Sequence, residues 1–186
     1  MKIIVATHNA HKLSEMAAIL PRGIELVADD PSAEETSDTF EGNALIKARA
    51  AAALHPGEWV MADDSGLEVD ALGGAPGVRS ARYAGEPVST ARNNAKLLSA
   101  LEGVKNRTAR FRCCIAIVSP DGMEHIAEGR CEGSIAAEPS GAEGFGYDPL
   151  FVPDGFDKTF AELGPEEKNA ISHRGRALAE ARRFFE

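Results

Sequence analysis

The sequence predicts an α/β fold: two lobes on a long mixed β-sheet, with flanking helices and a central active-site cleft. Three observations point there. Strand-like and helix-like hydrophobic periods alternate as β-α-β-α-β through the first part of the chain. A helix, a run of strands and closing helices follow, an order that packs helices on a partly parallel sheet. No internal repeat or low-complexity linker interrupts residues 1–186, so both lobes belong to one domain with no separate linker. Three polar clusters, at 7–12, 63–66 and 145–148, come directly after predicted strands or a glycine loop, and sheets of this class carry their sites at strand ends.

Each element has a local cause. Residues 2–7 read as a short buried strand, β-branched at Ile3, Ile4 and Val5. Leu13, Met16, Ala17 and Leu20 then fall on one face of a helix, which Pro21 and Gly23 stop. A second strand covers 24–28, and the acidic, turn-rich stretch 29–38 is a loop. Thr39 is placed to cap a helix running through Asn43 and Lys47 to Leu54. A strand at 59–62 leads into Asp63-Asp64-Ser65-Gly66, which puts two acids at its exposed end. Gly73-Gly74-Ala75-Pro76-Gly77 is a loop, and Ser89 or Thr90 caps a helix to Leu101. Ala109, Phe111, Cys113, Ile115 and Ile117 alternate with Arg110, Arg112, Cys114 and Ala116 as a long strand. After the turn Ser119-Pro120-Asp121-Gly122, segments 123–128 and 131–137 continue an antiparallel meander. Gly141, Gly144 and Gly146 mark a flexible loop. Pro165 opens a helix that Gly175 interrupts, and 177–185 form a final helix.

Composition narrows the function classes. Lys and Arg number 20 against 29 Asp and Glu, a formal charge of −9. A net-acidic surface disfavours duplex DNA and anionic lipid, while leaving room for a local basic pocket. No run approaches the roughly 18 apolar residues of a membrane span, and the apolar stretch after Lys2 is too short for a secretory leader. Three cysteines, Cys113, Cys114 and Cys131, form no C-x-x-C pair and suit a reducing cytoplasm.

Four clusters carry chemistry. Thr7-x-Asn9-x-x-Lys12 joins a strand to a helix start, where backbone N–H groups and the helix dipole favour phosphate and Lys12 adds a charge. The same spacing also suits an Asn cap beside a solvated lysine, and no Walker A loop is present. Asp63 and Asp64, with Glu34 and Glu35 in the earlier loop, suit magnesium, which takes carboxylate oxygens, water and substrate phosphates. An acidic turn closed by Ser-Gly is the plainer alternative. In Gly144-Phe145-Gly146-Tyr147-Asp148-Pro149, aromatics between glycines can stack on a flat base, or simply fill a core. Lys168, His173 and Arg174 bring three donors within seven positions, which suits a carbonyl-bearing base or phosphate oxygens, or a solvated helix end.

Taken together and in order, these motifs resemble the Ham1/RdgB-type inosine triphosphate pyrophosphatase family. Ala33-Glu34-Glu35-Thr36, Leu72-Gly73-Gly74-Ala75-Pro76-Gly77, Ser80-Ala81-Arg82-Tyr83 and Ser172-His173-Arg174 add to the match, which covers nearly the whole chain. The resemblance implies a cytoplasmic, usually homodimeric, magnesium (Mg2+) enzyme. It would hydrolyse ITP, dITP and XTP to the monophosphate and pyrophosphate, and so clear deaminated purines from the nucleotide pool. It implies that Thr7, His8, Asn9, Ala10, His11 and Lys12 bind the triphosphate, and that Lys47 faces phosphate. Glu35 and Asp64 would hold the metal, and Asp64 would also accept the proton. Ser65 would touch substrate, and Phe145, Gly146, Tyr147, Asp148, Lys168, His173 and Arg174 would hold base and sugar. His8 and His11 stand where many members carry small or basic residues. Two other readings are a nucleotide sensor that cleaves nothing and a Maf-like pyrophosphatase.

Overall fold

A computed structural model describes residues 1–185. Six strands form one mixed sheet in the order β2-β1-β3-β4-β5-β6, with β1 at Lys2–Val5, β2 at Glu25–Ala28, β3 at Trp59–Val69, β4 at Thr108–Val118, β5 at Glu124–Ile135 and β6 at Phe151–Pro153. β1 runs parallel to both β2 and β3, through Ile3↔Leu26 and Ile3↔Trp59. β5 and β6 are antiparallel, through Ser134↔Val152. The helices are α1 (Ala10–Ile19), α2 (Phe40–Leu54), α3 (Thr90–Ala100), α4 (Pro165–Ile171) and α5 (His173–Ala181). The predicted α/β class with flanking helices is therefore the observed one.

The described chain divides into two compact units made of interleaved segments. The first takes residues 1–64, 113–129 and those from 173 on; the second takes 65–112 and 130–172. Each has its own apolar core. In the first, Ile3, Val5, Met61, Ile115 and Ile117 from the strands meet Met16 of α1 and Ala177, Leu178 and Ala181 of α5. A side chain at Gly129 would lie 2.1 Å from the His173 carbonyl, so glycine is what lets α5 settle on β5. In the second unit, Leu67, Val69, Leu97 and Leu101 surround three rings. Phe111 meets Phe151 edge-on at 4.7 Å and stacks on Phe160 at 5.7 Å between centroids.

Four expectations change. β3 does not stop at Ala62 but continues to Val69, so Asp63 and Asp64 lie within a strand and not at its exposed end. The segments 123–128 and 131–137 are one strand of 12 residues, β5. β6, only three residues long, was not foreseen. The break between the last helices falls at Ser172, while Gly175 sits buried inside α5, which ends at Ala181 ahead of a 3-10 turn over Arg182–Phe184. In each case ladder pairing or packing outweighs local turn propensity, as is usual for strands. The capping expectations hold: Thr39 accepts from Gly42 N–H at 3.0 Å and Ser89 from Arg92 N–H at 3.3 Å.

Candidate functional site

In the first unit, β1 and α1 deliver residues 7–12. Asn9 caps α1, its Oδ1 accepting from the N–H groups of His11 and Lys12 at 3.0 and 3.2 Å. The Asn9 N–H in turn donates to Thr7 Oγ1 at 3.1 Å. Two of the N–H groups that the sequence offered to phosphate are thus taken by the cap. Ala10 and His11 are exposed at the helix start, and His8 is exposed with its Nε2 2.8 Å from Ser32 Oγ. Lys12 turns its amine to the Asp63 carboxylate at 3.2 Å.

Asp63 and Asp64 point to different company although they are neighbours, because successive residues of a strand face opposite sides. Asp63 is 1% exposed and sits between Lys12 and Arg174, whose Nη2 is 3.1 Å away. Burial raises its pKa, but the charges of Lys12, Arg174 and Lys47 outweigh burial and hold the carboxyl well below the usual range. Glu15, 2.5 Å from Arg174, completes the buried ionic cluster. Asp64 is 6% exposed and its carboxyl is pushed up to about 6. Burial is the main cause; Lys47 and Lys12 oppose it, while Glu35 and Asp63 add to it.

Lys47, on α2, binds this group together. Its amine donates to the Asp63 carbonyl at 2.6 Å and lies 3.5 Å from Glu35 and 3.8 Å from Asp64. Burial favours its neutral form, yet the three carboxylates prevail and raise its pKa, so it is charged. Glu35 is part-buried and Glu34 exposed. Among the described residues no group of three or more His, Cys, Asp or Glu is arranged to hold a metal. Two hard carboxylates, Glu35 and Asp64, nevertheless fit magnesium, which is held by one or two carboxylates together with substrate phosphates.

The second unit holds a separate cluster. Lys168 of α4 makes a buried ion pair with Asp148 at 2.7 Å, and its amine lies 5.0 Å over the Phe145 ring. Asp148 also accepts from the Phe145 N–H at 3.0 Å. Gly146 accepts from Asn94 Nδ2 at 3.2 Å, and the Tyr147 hydroxyl donates to the Ser80 carbonyl at 2.7 Å. Burial pushes the Tyr147 phenol up, so it stays neutral. The loop thus presents Phe145, half-buried, beside a fixed charge pair. Ser65 begins this unit's first segment, next to Asp64 in the chain. His173 and Arg174, which sequence spacing joined to Lys168, belong instead to the first unit as the start of α5.

The sequence pattern of the Ham1 family fits residues 3–184 of this chain. The chain belongs to the Ham1 family. Among the Ham1 relatives, the dITP/XTP pyrophosphatase of Desulforamulus reducens is 56% identical over 189 residues, 97% of this chain and 94% of that protein. The Ham1 protein of Staphylococcus aureus superposes with a TM-score of 0.89 at 41% identity, over 100% of this chain and 98% of its own. A HAM1 protein from Coxiella burnetii superposes with a TM-score of 0.88 at 43% identity, with the same coverage of each chain.

The Ham1 motifs named most of the residues in these clusters. Sequence reasoning missed Asn43, which donates to Asp64, and Glu15, which holds Arg174. Asn43 had a signal: Thr39, Asn43 and Lys47 recur at i, i+4 and i+8 on one face of α2. Glu15 had none, since its partner lies 159 residues away.

Proposed function

We propose that this protein hydrolyses non-standard purine nucleoside triphosphates, ITP, dITP and XTP, to the monophosphate and pyrophosphate, removing deaminated purines from the nucleotide pool. The names of its relatives, dITP/XTP pyrophosphatases at 51–56% identity, support the reading. The observation that carries it is the carboxylate pair Asp64 and Glu35, held on one lysine: Lys47 lies 3.8 Å from the buried Asp64 and 3.5 Å from Glu35. A general base works best when its pKa lies near the operating pH, and burial raises the Asp64 carboxyl toward that range.

In this mechanism Asp64 orients a water and accepts its proton at a carboxylate oxygen as the water attacks the α-phosphorus. Lys12 and Lys47 meet the negative charge of the phosphate tail, and pyrophosphate leaves. Positioning and charge neutralisation supply most of the rate, as in phosphoryl transfer generally. Glu35 and Asp64 are the residues that would hold Mg2+, which when bound supplies charge neutralisation and a more acidic water. Asp63 stays ionised under Lys12 and Arg174 and holds both cations in place. In the second unit, Phe145 gives a face for the purine and Lys168, aligned by Asp148, a donor for its polar edge. A keto group at purine position 6 satisfies such a donor and an amino group does not, a difference of about 1–3 kcal/mol.

The same reading makes the enzyme a cytoplasmic homodimer. Cys113, Cys114 and Cys131 are buried thiols, which is consistent with a reducing compartment. A panel of ITP, XTP, dITP, ATP, GTP and dUTP with Mg2+, assayed for both phosphate and pyrophosphate, tests the reaction. Pyrophosphate from ITP, dITP and XTP is expected. Orthophosphate as first product, or equal turnover of ATP and ITP, would overturn it.

A further inference from the structure

We infer that Asn43 is a positioning residue, which clamps the Asp64 carboxylate to the loop carrying Glu35 and so sets the spacing of the two acids. Asn43 lies on α2, one turn after the cap Thr39 and one turn before Lys47, and is 2% exposed. Its Nδ2 donates to Asp64 Oδ2 at 3.3 Å, and its Oδ1 accepts from the Ser37 backbone N–H at 2.9 Å. A backbone N–H can only donate, so Ser37 dictates which way the amide faces. The Asn43 NH2 is therefore turned to Asp64 by the same contact that anchors the loop.

The loop end is itself fixed. Ser37 Oγ lies 3.0 Å from Thr39 Oγ1 and accepts from the Thr39 N–H at 3.1 Å. A side chain on Gly42 would lie 2.1 Å from Ser37 Oγ, so the loop is packed directly on the first turn of α2. Glu35 stands two residues before that anchor. Asp64 is then addressed by one helix face at both oxygens: Lys47 lies 3.8 Å from Oδ1, and Asn43 bonds Oδ2. Asparagine carries its donor and its acceptor on separate atoms of one rigid amide and so reaches both partners; a serine hydroxyl carries both on one atom of a shorter side chain, and alanine or leucine carries neither.

The inference rests on Glu35 and Asp64 being the metal-holding pair, and removing an outer partner of such ligands costs typically 10–100-fold in metal affinity or activity. The test uses Asn43→Ala and the smaller change Asn43→Ser, which keeps one polar contact. Mn2+ binding to the nucleotide-free protein is read by electron paramagnetic resonance, with kcat and KM for ITP and the urea midpoint alongside. Expected are Mn2+ affinity and kcat each lowered about 10–100-fold in Asn43→Ala, less in Asn43→Ser, and a KM changed by less than about threefold. Wild-type Mn2+ affinity and kcat per folded molecule in either folded variant would overturn the inference, because a purely structural residue alters only the folded fraction. Should Asn43→Ala fail to fold, Asn43→Ser decides by the same criterion. Failure of the wild type to release pyrophosphate from ITP counts against the proposed function, whereas the Mn2+ readout judges Asn43 without any turnover.

Discussion

Two adjacent aspartates in one strand titrate in opposite directions, and the cause is their partners. Asp63 has cations on both sides; for Asp64, burial outweighs the charges of Lys47 and Lys12, and Glu35 and Asp63 add to it. Their linkage to stability is opposite too. The Asp64 pKa rises from 3.8 to about 6 on folding, so between those values the native state holds a proton the unfolded chain has lost. Its contribution is full below pH 3.8 and is lost as pH rises through 6, a change of roughly 3 kcal/mol at about 1.4 kcal/mol per pH unit. Asp63, lowered on folding, contributes stability above its ordinary 3.8 that disappears in stronger acid. The metal-free Asp64→Asn protein should therefore be more stable than wild type at pH 7.5, with the gap closing toward pH 4. Urea midpoints at a series of pH values measure this, and two parallel curves would refute it. The same variant should lose turnover by about a thousandfold or more while still binding ITP, if Asp64 is the proton acceptor. Isothermal titration with ITP, beside the pyrophosphate assay, separates the two effects.

Helix α2 and the second unit's loop show how an element, and not a residue alone, makes a site. One face of α2 presents the cap Thr39, then Asn43, then Lys47, at a spacing of four, and the buried alanines at 44, 48 and 51 lie beside them. In the loop, Gly144 has φ +73° and a Cβ there would lie 2.1 Å from Asp148 Oδ2. Gly144→Ala should push Asp148 off Lys168 and raise KM for ITP by about tenfold or more, with a smaller effect on kcat. Steady-state kinetics on ITP and ATP check it; an unchanged KM would argue that the loop does not meet the base. Phe111 of β4, fully engaged with Phe151 and Phe160, is a packing residue. Phe111→Ala should cost about 3–5 kcal/mol of stability, visible in a thermal or urea melt. These particulars also mark what could be read in advance. Caps, helices and alternating strands came from short-range chemistry, so α2, α3 and β4 were legible. The extent of β3 and β5 was not, because pairing partners far along the chain decide where a ladder ends.

For the whole molecule, a formal charge of −9 coexists with a local set of cations, the part-buried Lys12 and the buried Lys47 and Arg174, around the acids of the first unit. Bulk field and local chemistry therefore have opposite signs. Polyanionic duplex DNA, which needs a broad basic surface, should not bind at physiological salt, and a gel-shift assay would reveal any association. The sequence by itself determined the α/β class, the order of elements, and which polar residues recur in Ham1 motifs, because periodicity, capping and motif spacing are properties of short stretches. Only the tertiary structure decided that Asp63 and Asp64 are interior strand residues with opposed proton affinities, that Arg174 joins Glu15 to Asp63, and that Asn43 joins Asp64 to Ser37. Burial and the distance between charges set those properties, and both depend on groups brought together from distant parts of the chain.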